Sequence, residues 1–176
     1  MKKFAILFAG LFMMTFAFQS VNAQNTATVS DANAAASIVA GITLTNDLSL
    51  EFGEIVRSST GGTVTITADA NPSRTPSGNL TFIPNDTWRP AKFTVAGDNT
   101  QTFKIVKPAT ITLAGPSSSE MTITTSISGD ESGLATTGGA GGIGEYVFYI
   151  GGTLEVAATQ QIGDYVGTYE VTVQYE

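Results

Sequence analysis

The feature that most constrains this chain is a period of two. From Tyr169 to Tyr175, Tyr169, Val171, Val173 and Tyr175 alternate with Glu170, Thr172 and Gln174. An extended strand turns such a run into one apolar and one polar face. Shorter runs of the same kind recur upstream, separated by Gly, Pro, Asn and Asp, and no window repeats its apolar residues at 3.6 positions. Short strands punctuated by turn residues predict an all-β chain, either sandwich or barrel. The expected strands are Ser37–Thr45, Leu48–Ile55, Thr63–Ala68, Asn79–Ile83, Ala91–Val95, Thr102–Val106, Thr110–Leu113, Met121–Ile127, Tyr146–Ile150, Thr153–Val156 and Tyr165–Tyr175.

Two stretches read as loops. Asn71–Gly78 holds Pro72 and Pro76, which bar a central strand. Ser128–Gly144 is rich in glycine, but it lacks the lysine and following helix of a phosphate cradle, so a flexible crossing is expected.

The start of the chain has different physics. Lys2 and Lys3 precede an uncharged apolar run, Phe4–Phe18, and then a polar stretch with Val21 and Ala23 before the expected cut. That order is a secretory signal, with cleavage expected after Ala23. The apolar run is short for a membrane span, which needs about 20 residues. The expected organisation is a signal peptide over 1–23, a flexible lead-in over 24–36 and one β-domain over 37–176. The protein is expected to be exported, to the periplasm, cell surface or medium, touching a membrane only through the transient signal.

Composition narrows the chemistry. The chain has no histidine and no cysteine, 8 Lys+Arg and 15 Asp+Glu. Imidazole or thiolate catalysis, zinc-thiolate sites and disulfides are therefore excluded. Losing Lys2 and Lys3 would leave 6 − 15 = −9, a balance unsuited to nucleic acid or anionic lipid. Carboxylates remain (Asp130, Glu131, Glu51, Glu54, Asp98), but they are scattered at turns and strand ends, where solubility accounts for them. No calcium-loop pattern surrounds Asp130 and Glu131, and no Ser-x-x-Lys spacing accompanies Lys92, Lys104 or Lys107. The expectation is a non-enzymatic protein with no catalytic residue, no cofactor and no metal. Trp88, the only tryptophan, is a candidate ligand contact that would stack on a sugar ring, against a packing role as the plainer reading.

The last segment carries the most information. Gly163-Asp164-Tyr165 resembles a tyrosine corner, in which a Tyr hydroxyl bonds backbone a few residues upstream. Gly163, Tyr165, Gly167, Tyr169, Val171, Val173 and Tyr175 are the assembly or structural candidates. Their register, with a penultimate Tyr175 and Gly163 fourteenth from the end, is similar to the C-terminal signature of chaperone–usher pilus subunits. The resemblance implies an incomplete sandwich completed by β-augmentation.

A broader likeness covers most of the chain. Leu50-x-Phe52-Gly53-x-Ile55, Ala91-x-Phe93-x-Val95-x-Gly97, Met121-Thr122-Ile123 and Tyr149-Ile150-Gly151-Gly152-Thr153-Leu154-x-Val156 lead into the final alternation. Together they resemble the secreted bacterial family called domain of unknown function 4402, itself similar in pattern to spore-coat-protein-U-type and other fimbrial subunits. The resemblance implies an immunoglobulin-like antiparallel β-sandwich with Greek-key connections, serving as a pilus or surface-fibre subunit. Its partners would be other copies of itself or a periplasmic chaperone. A self-contained envelope binding module or adhesin stays open beside that reading. Against a donor role for the lead-in, Ala27, Val29, Asp31, Asn33 and Ala35 are small or polar at alternate positions.

Overall fold

A computed structural model describes residues 28, 31–139 and 141–176 of the chain. The expected signal peptide and its cleavage site lie outside the described residues. The chain divides after Ser37, and Ile38–Glu176 is one compact unit. No helix among the described residues is long and apolar enough to cross a membrane.

The fold is all-β and its strand pairs are antiparallel. In chain order the strands are β1 (Thr43–Leu48), β2 (Ile55–Val56), β3 (Gly62–Ile66), β4 (Arg74–Pro76), β5 (Thr81–Phe82) and β6 (Ala91–Asp98). They continue with β7 (Thr102–Val106), β8 (Thr110–Ala114), β9 (Glu120–Ile127), β10 (Leu134–Ala135), β11 (Ile143–Val156) and β12 (Thr172–Tyr175). A 3-10 turn, Pro116–Ser118, lies between β8 and β9.

β11 organises the molecule. Its first half, Ile143–Ile150, pairs with β6, which pairs in turn with β1. Its second half is held on both edges, by β3 at Gly152–Val156 and by β9 at Ile150–Leu154. The sequence reading breaks this strand at Gly151-Gly152, but the structure runs straight through. A Cβ on Gly151 would stand 2.3 Å from the Ile66 carbonyl oxygen, and one on Gly152 would stand 2.6 Å from that of Thr124. The glycines are there for close approach on two sides and make no turn.

Each half of β11 faces its own core. Around the first half, Ala91, Phe93, Val95, Phe148 and Ile150 pack against Phe103, Ile105 and Leu134 of a second layer, β10-β7-β12. Strict alternation on β6 produces this, since Ala91, Phe93, Val95 and Gly97 are all buried. Phe93 and Phe148 stack at 5.2 Å between ring centres. Around the second half, Val64, Ile66, Ile111, Ile123, Leu154 and Val156 are covered by Phe52 and Leu80.

Other strand readings need correction. The expected Ser37–Thr45 strand is displaced, since pairing with β6 begins at Thr43 and runs to Leu48. β4 lies inside the expected Asn71–Gly78 loop, as an edge strand on β3, a position where its proline is tolerated. β10 lies inside the expected Ser128–Gly144 loop and pairs with β7. The expected Leu48–Ile55 strand is not continuous: Glu51 makes an isolated bridge to Arg89, and pairing resumes at Ile55.

Candidate functional site: the final strand and its open edge

The expected strand Tyr165–Tyr175 is a strap pinned at both ends. At its entry, Gly163 takes φ +145, and a Cβ there would meet Pro116 at 2.4 Å. The Tyr165 hydroxyl donates to the Gln161 carbonyl at 2.9 Å, lies 2.8 Å from Ser119 Oγ, and accepts from the Gln160 amide at 2.8 Å. This is the upstream backbone bond that a tyrosine corner requires. Its ring covers Gly115, where a Cβ would stand 2.2 Å away. Val166 then exchanges both backbone bonds with Ala114 at the end of β8.

Regular pairing resumes at the far end only, where Thr172–Tyr175 lie along Phe103–Val106 of β7. Between the pinned ends, Gly167 passes so close to β8 that a Cβ would stand 2.4 Å from the Thr112 carbonyl oxygen. The chain then leaves a cleft of about 490 Å³ lined by Lys107, Thr110, Thr112, Thr168, Glu170 and Thr172, among others. Lys107 is engaged there with Glu131 at 3.2 Å and Thr125 at 3.2 Å. Pairing in the middle of the strap fails because β7 and β8 are separated by Lys107-Pro108-Ala109, and Pro108 offers no backbone donor.

The side chains still alternate. Tyr169, Val171, Val173 and Tyr175 face inward and are half-buried against the cores, while Glu170, Thr172, Gln174 and Glu176 are exposed. Tyr169 packs on both cores and sits edge-on to Phe93 at 6.5 Å. Its hydroxyl is enclosed with no hydrogen-bond partner among the described residues, and burial pushes its pKa above the ordinary tyrosine value.

Tyr175 closes the strap. Its hydroxyl donates to the Ala40 carbonyl at 2.9 Å and accepts the Asp98 N–H at 2.7 Å. The Asp98 carboxylate accepts from the Thr100 hydroxyl at 2.6 Å, the Thr100 N–H at 2.9 Å and the Ala40 N–H at 3.3 Å. These bonds, led by the Thr100 hydroxyl, hold its pKa below the usual aspartate range.

β12 pairs with β7 on one side only, and β1 pairs with β6 on one side only. The two lie on the same flank, one at the rim of each layer. Ile42 and Leu44 from the first layer, and Val171 and Val173 from the second, line that flank half-buried. All seven candidates from Gly163 to Tyr175 lie on the strap, of which only Thr172–Tyr175 is a strand, paired on one edge.

Trp88 belongs elsewhere. It packs half-buried on the core beside Phe52, with the Arg74 guanidinium 5.3 Å from its ring and 3.7 Å from that of Phe82. Arg74 in turn forks onto Asp86 at 2.6 and 2.8 Å and donates to the Phe52 carbonyl at 2.9 Å. Asp86 also accepts the Glu54 N–H at 2.6 Å, and Arg74, foremost, holds its pKa down. Sequence reasoning missed this clasp. The available signal was a lone arginine between two prolines in a chain poor in cations, and an Asp86-x-Trp88 pair.

No cluster of three or more metal-ligating side chains occurs among the described residues. The site presents backbone and apolar surface along an edge. Against known families, a model for a domain of unknown function, DUF4402, matches residues 42–175, and the chain belongs to that family. No curated protein and no solved structure matches it.

Proposed function

We propose that this protein is an exported, non-enzymatic structural or surface-assembly protein, akin to a pilus or fimbrial subunit, that joins its assembly by strand addition. One observation carries the reading: β12 is paired on one edge only and stands beside the equally one-sided β1, with half-buried apolar side chains between them. An open backbone edge over a partly covered apolar seam is what β-augmentation uses. The final strand is the receiving strand, since its own fastening at Tyr165 and Tyr175 opposes its release. The signal-like first 23 residues support export.

The test is Val173→Pro, which removes an N–H on the unpaired side of β12 and trims a half-buried side chain, beside Val173→Ala, which carries the packing loss alone. The proline variant made in its native bacterium is expected to fold and leave the cytoplasm, yet fail to enter surface assemblies. Normal surface incorporation would overturn the proposal. A second reading, a self-contained envelope binding module, is favoured by the two filled cores and the double fastening of the strap. The surface of such a module would not centre on Trp88, whose ring is already occupied by Arg74.

A further inference from the structure

Two bonded pairs bracket a gap in the ladder of the strap. Val166 exchanges both backbone bonds with Ala114 of β8, and pairing resumes at Thr172 against Val106 of β7. Strap residues 167–171 run opposite 107–113, a longer stretch, so the two backbones leave register. Among the described residues no backbone hydrogen bond crosses between them. The cleft of about 490 Å³ occupies this gap, within the range of about 300–1,000 Å³ for small-molecule sites.

What the gap presents follows from the ladders on either side. The Thr125 N–H donates to the Ala109 carbonyl at 2.9 Å. By antiparallel alternation, Ile111 and Leu113 also turn their backbone groups to β9, while Thr110 and Thr112 turn theirs to the strap. The Glu176 N–H donates to the Thr102 carbonyl at 3.0 Å, which sets Gln174 and Thr172 toward β7 as well. Thr168 and Glu170 lie between Thr172 and Val166, which both face that way, and their side chains keep the alternation. Backbone donors and acceptors therefore enter the cleft from both walls, and Thr110, Thr112, Thr168 and Thr172 add hydroxyls to its lining.

Charge and shape restrict the occupant. Lys107 is paired with Glu131 at 3.2 Å, whereas Glu170 makes no ion pair among the described residues and is the uncompensated charge of the lining. That opposes an anion. One carboxylate is too few for a calcium ion. No foreign strand can run through, because the Ala114–Val166 and Val106–Thr172 pairs close both ends. Val106, Pro108 and the Tyr169 ring supply apolar surface beside the polar groups. A compact ring whose hydroxyls both donate and accept, with one apolar C–H face, matches this lining.

We propose that the cleft between β8 and the strap binds a neutral pyranose sugar. The Glu170 carboxylate accepts from two adjacent sugar hydroxyls. The free backbone groups of Thr110, Thr112 and Thr168 take the others, and the C–H face rests on Val106 and Pro108. The sugar replaces the water that otherwise serves these groups. This site lies on the β7–β8 side of the strap, away from the open edge of β12, so it goes beyond the strand-addition reading and does not depend on it.

The test titrates the purified full chain with glucose, galactose, mannose, N-acetylglucosamine and glucuronate, following backbone amides by NMR. At least one neutral sugar is expected to bind saturably at millimolar concentration and to shift the amides of Thr110, Thr112, Thr168 and Glu170. Glu170→Gln should weaken that binding by about ten-fold. Thr168→Trp fills the cleft and should abolish it, with an unchanged urea midpoint showing that the fold is kept. Glucuronate should bind several-fold more weakly than the neutral sugar and lose that handicap in Glu170→Gln.

No saturable shift with any of the four neutral sugars would overturn the proposal. Shifts confined to other residues, or binding that both variants leave unchanged, would overturn it too. Glucuronate binding more tightly than every neutral sugar would contradict the role given to Glu170 and sink it equally. Each of these failures leaves strand addition at β12 standing, since Val173→Pro tests that separately.

Discussion

The hydroxyl of Tyr175 donates to the backbone carbonyl of Ala40 at 2.9 Å. This bond ties the chain that enters β1 to the strand that closes the opposite layer, 135 residues later. The same oxygen accepts the Asp98 N–H, so one phenol links both layers and the β6–β7 turn. A Cβ on Gly97 would stand 2.6 Å from it, which explains the small residue there.

Tyr175→Phe should therefore destabilise the fold by about 1–2 kcal/mol, the range for a hydrogen bond lost with its partners left in place. A lowered urea midpoint with an unchanged slope would match the expectation. An unchanged midpoint would mean that water replaces the hydroxyl without loss. Gly97→Ala should be worse, because the tyrosine must move as well as lose its bonds.

The Arg74–Asp86 pair should respond differently to single and paired changes. The two side chains are only 6% and 5% exposed, and Arg74 also holds the Phe52 carbonyl and packs on Phe82. Arg74→Met should be the most damaging single substitution outside the cores, since it strands a buried carboxylate. Arg74→Met combined with Asp86→Leu should recover part of the loss. A double-mutant cycle by thermal unfolding measures the coupling, and strict additivity would contradict it.

Acid should unfold this protein in one window, with nothing before it. Hydrogen bonding depresses the pKa of Asp98 through Thr100, that of Asp86 through Arg74 and that of Asp47 through Thr94, all below the ordinary 3.8. Between the depressed and ordinary values the unfolded chain binds more protons, so stability rises with pH there and is complete above that window. With no histidine in the chain, stability should stay level from about pH 7 to pH 5 and fall below about pH 4. Urea midpoints across that range provide the check, and a step near pH 6 would contradict it.

How much of this was legible in the sequence depends on what each residue type encodes. β7 lies over the expected Thr102–Val106, because alternation fixes a strand that is buried on one face and flanked by turns. β11 was split at Gly151-Gly152 because a glycine pair reads as a turn when its neighbours in space are unknown. β4 is masked in the sequence by Pro72 before it and Pro76 at its end, which argue against a central strand but not against an edge. The expected strand Tyr165–Tyr175 is a strand only at Thr172–Tyr175, although its side chains keep the alternation from Tyr169 onward and the Tyr165 hydroxyl makes the upstream bond of a corner. Its middle is unpaired because Pro108 interrupts the strand opposite, a fact that lies 60 residues away in the chain. The Arg74 clasp is equally nonlocal.

Gly152→Ala should test the close approach at β11 directly. Its Cβ would meet the Thr124 carbonyl oxygen at 2.6 Å and the Ile123 side chain at 2.7 Å, between two strands that cannot separate without losing their ladders. Overpacking of this kind costs about 1–3 kcal/mol and sometimes more. Gly133→Ala, with open space around it but φ +65, should lose less, through backbone strain alone. Equal losses by chemical denaturation would mean that β3 and β9 do not constrain β11 as described.

The three tyrosines of the strap should separate by sign. Tyr165 and Tyr175 both spend their hydroxyls on hydrogen bonds, whereas that of Tyr169 is enclosed without one. Removing a buried hydroxyl that has no partner relieves a desolvation penalty, and the ring that packs on both cores remains. Tyr169→Phe should thus be neutral or stabilising by up to about 1 kcal/mol, while Tyr165→Phe and Tyr175→Phe lose stability. Burial also raises the Tyr169 pKa above 10.0, so absorbance titration in alkali should show one late tyrosine that disappears in Tyr169→Phe. A clear loss of stability in Tyr169→Phe would mean that the hydroxyl has a partner after all, an ordered water being the candidate.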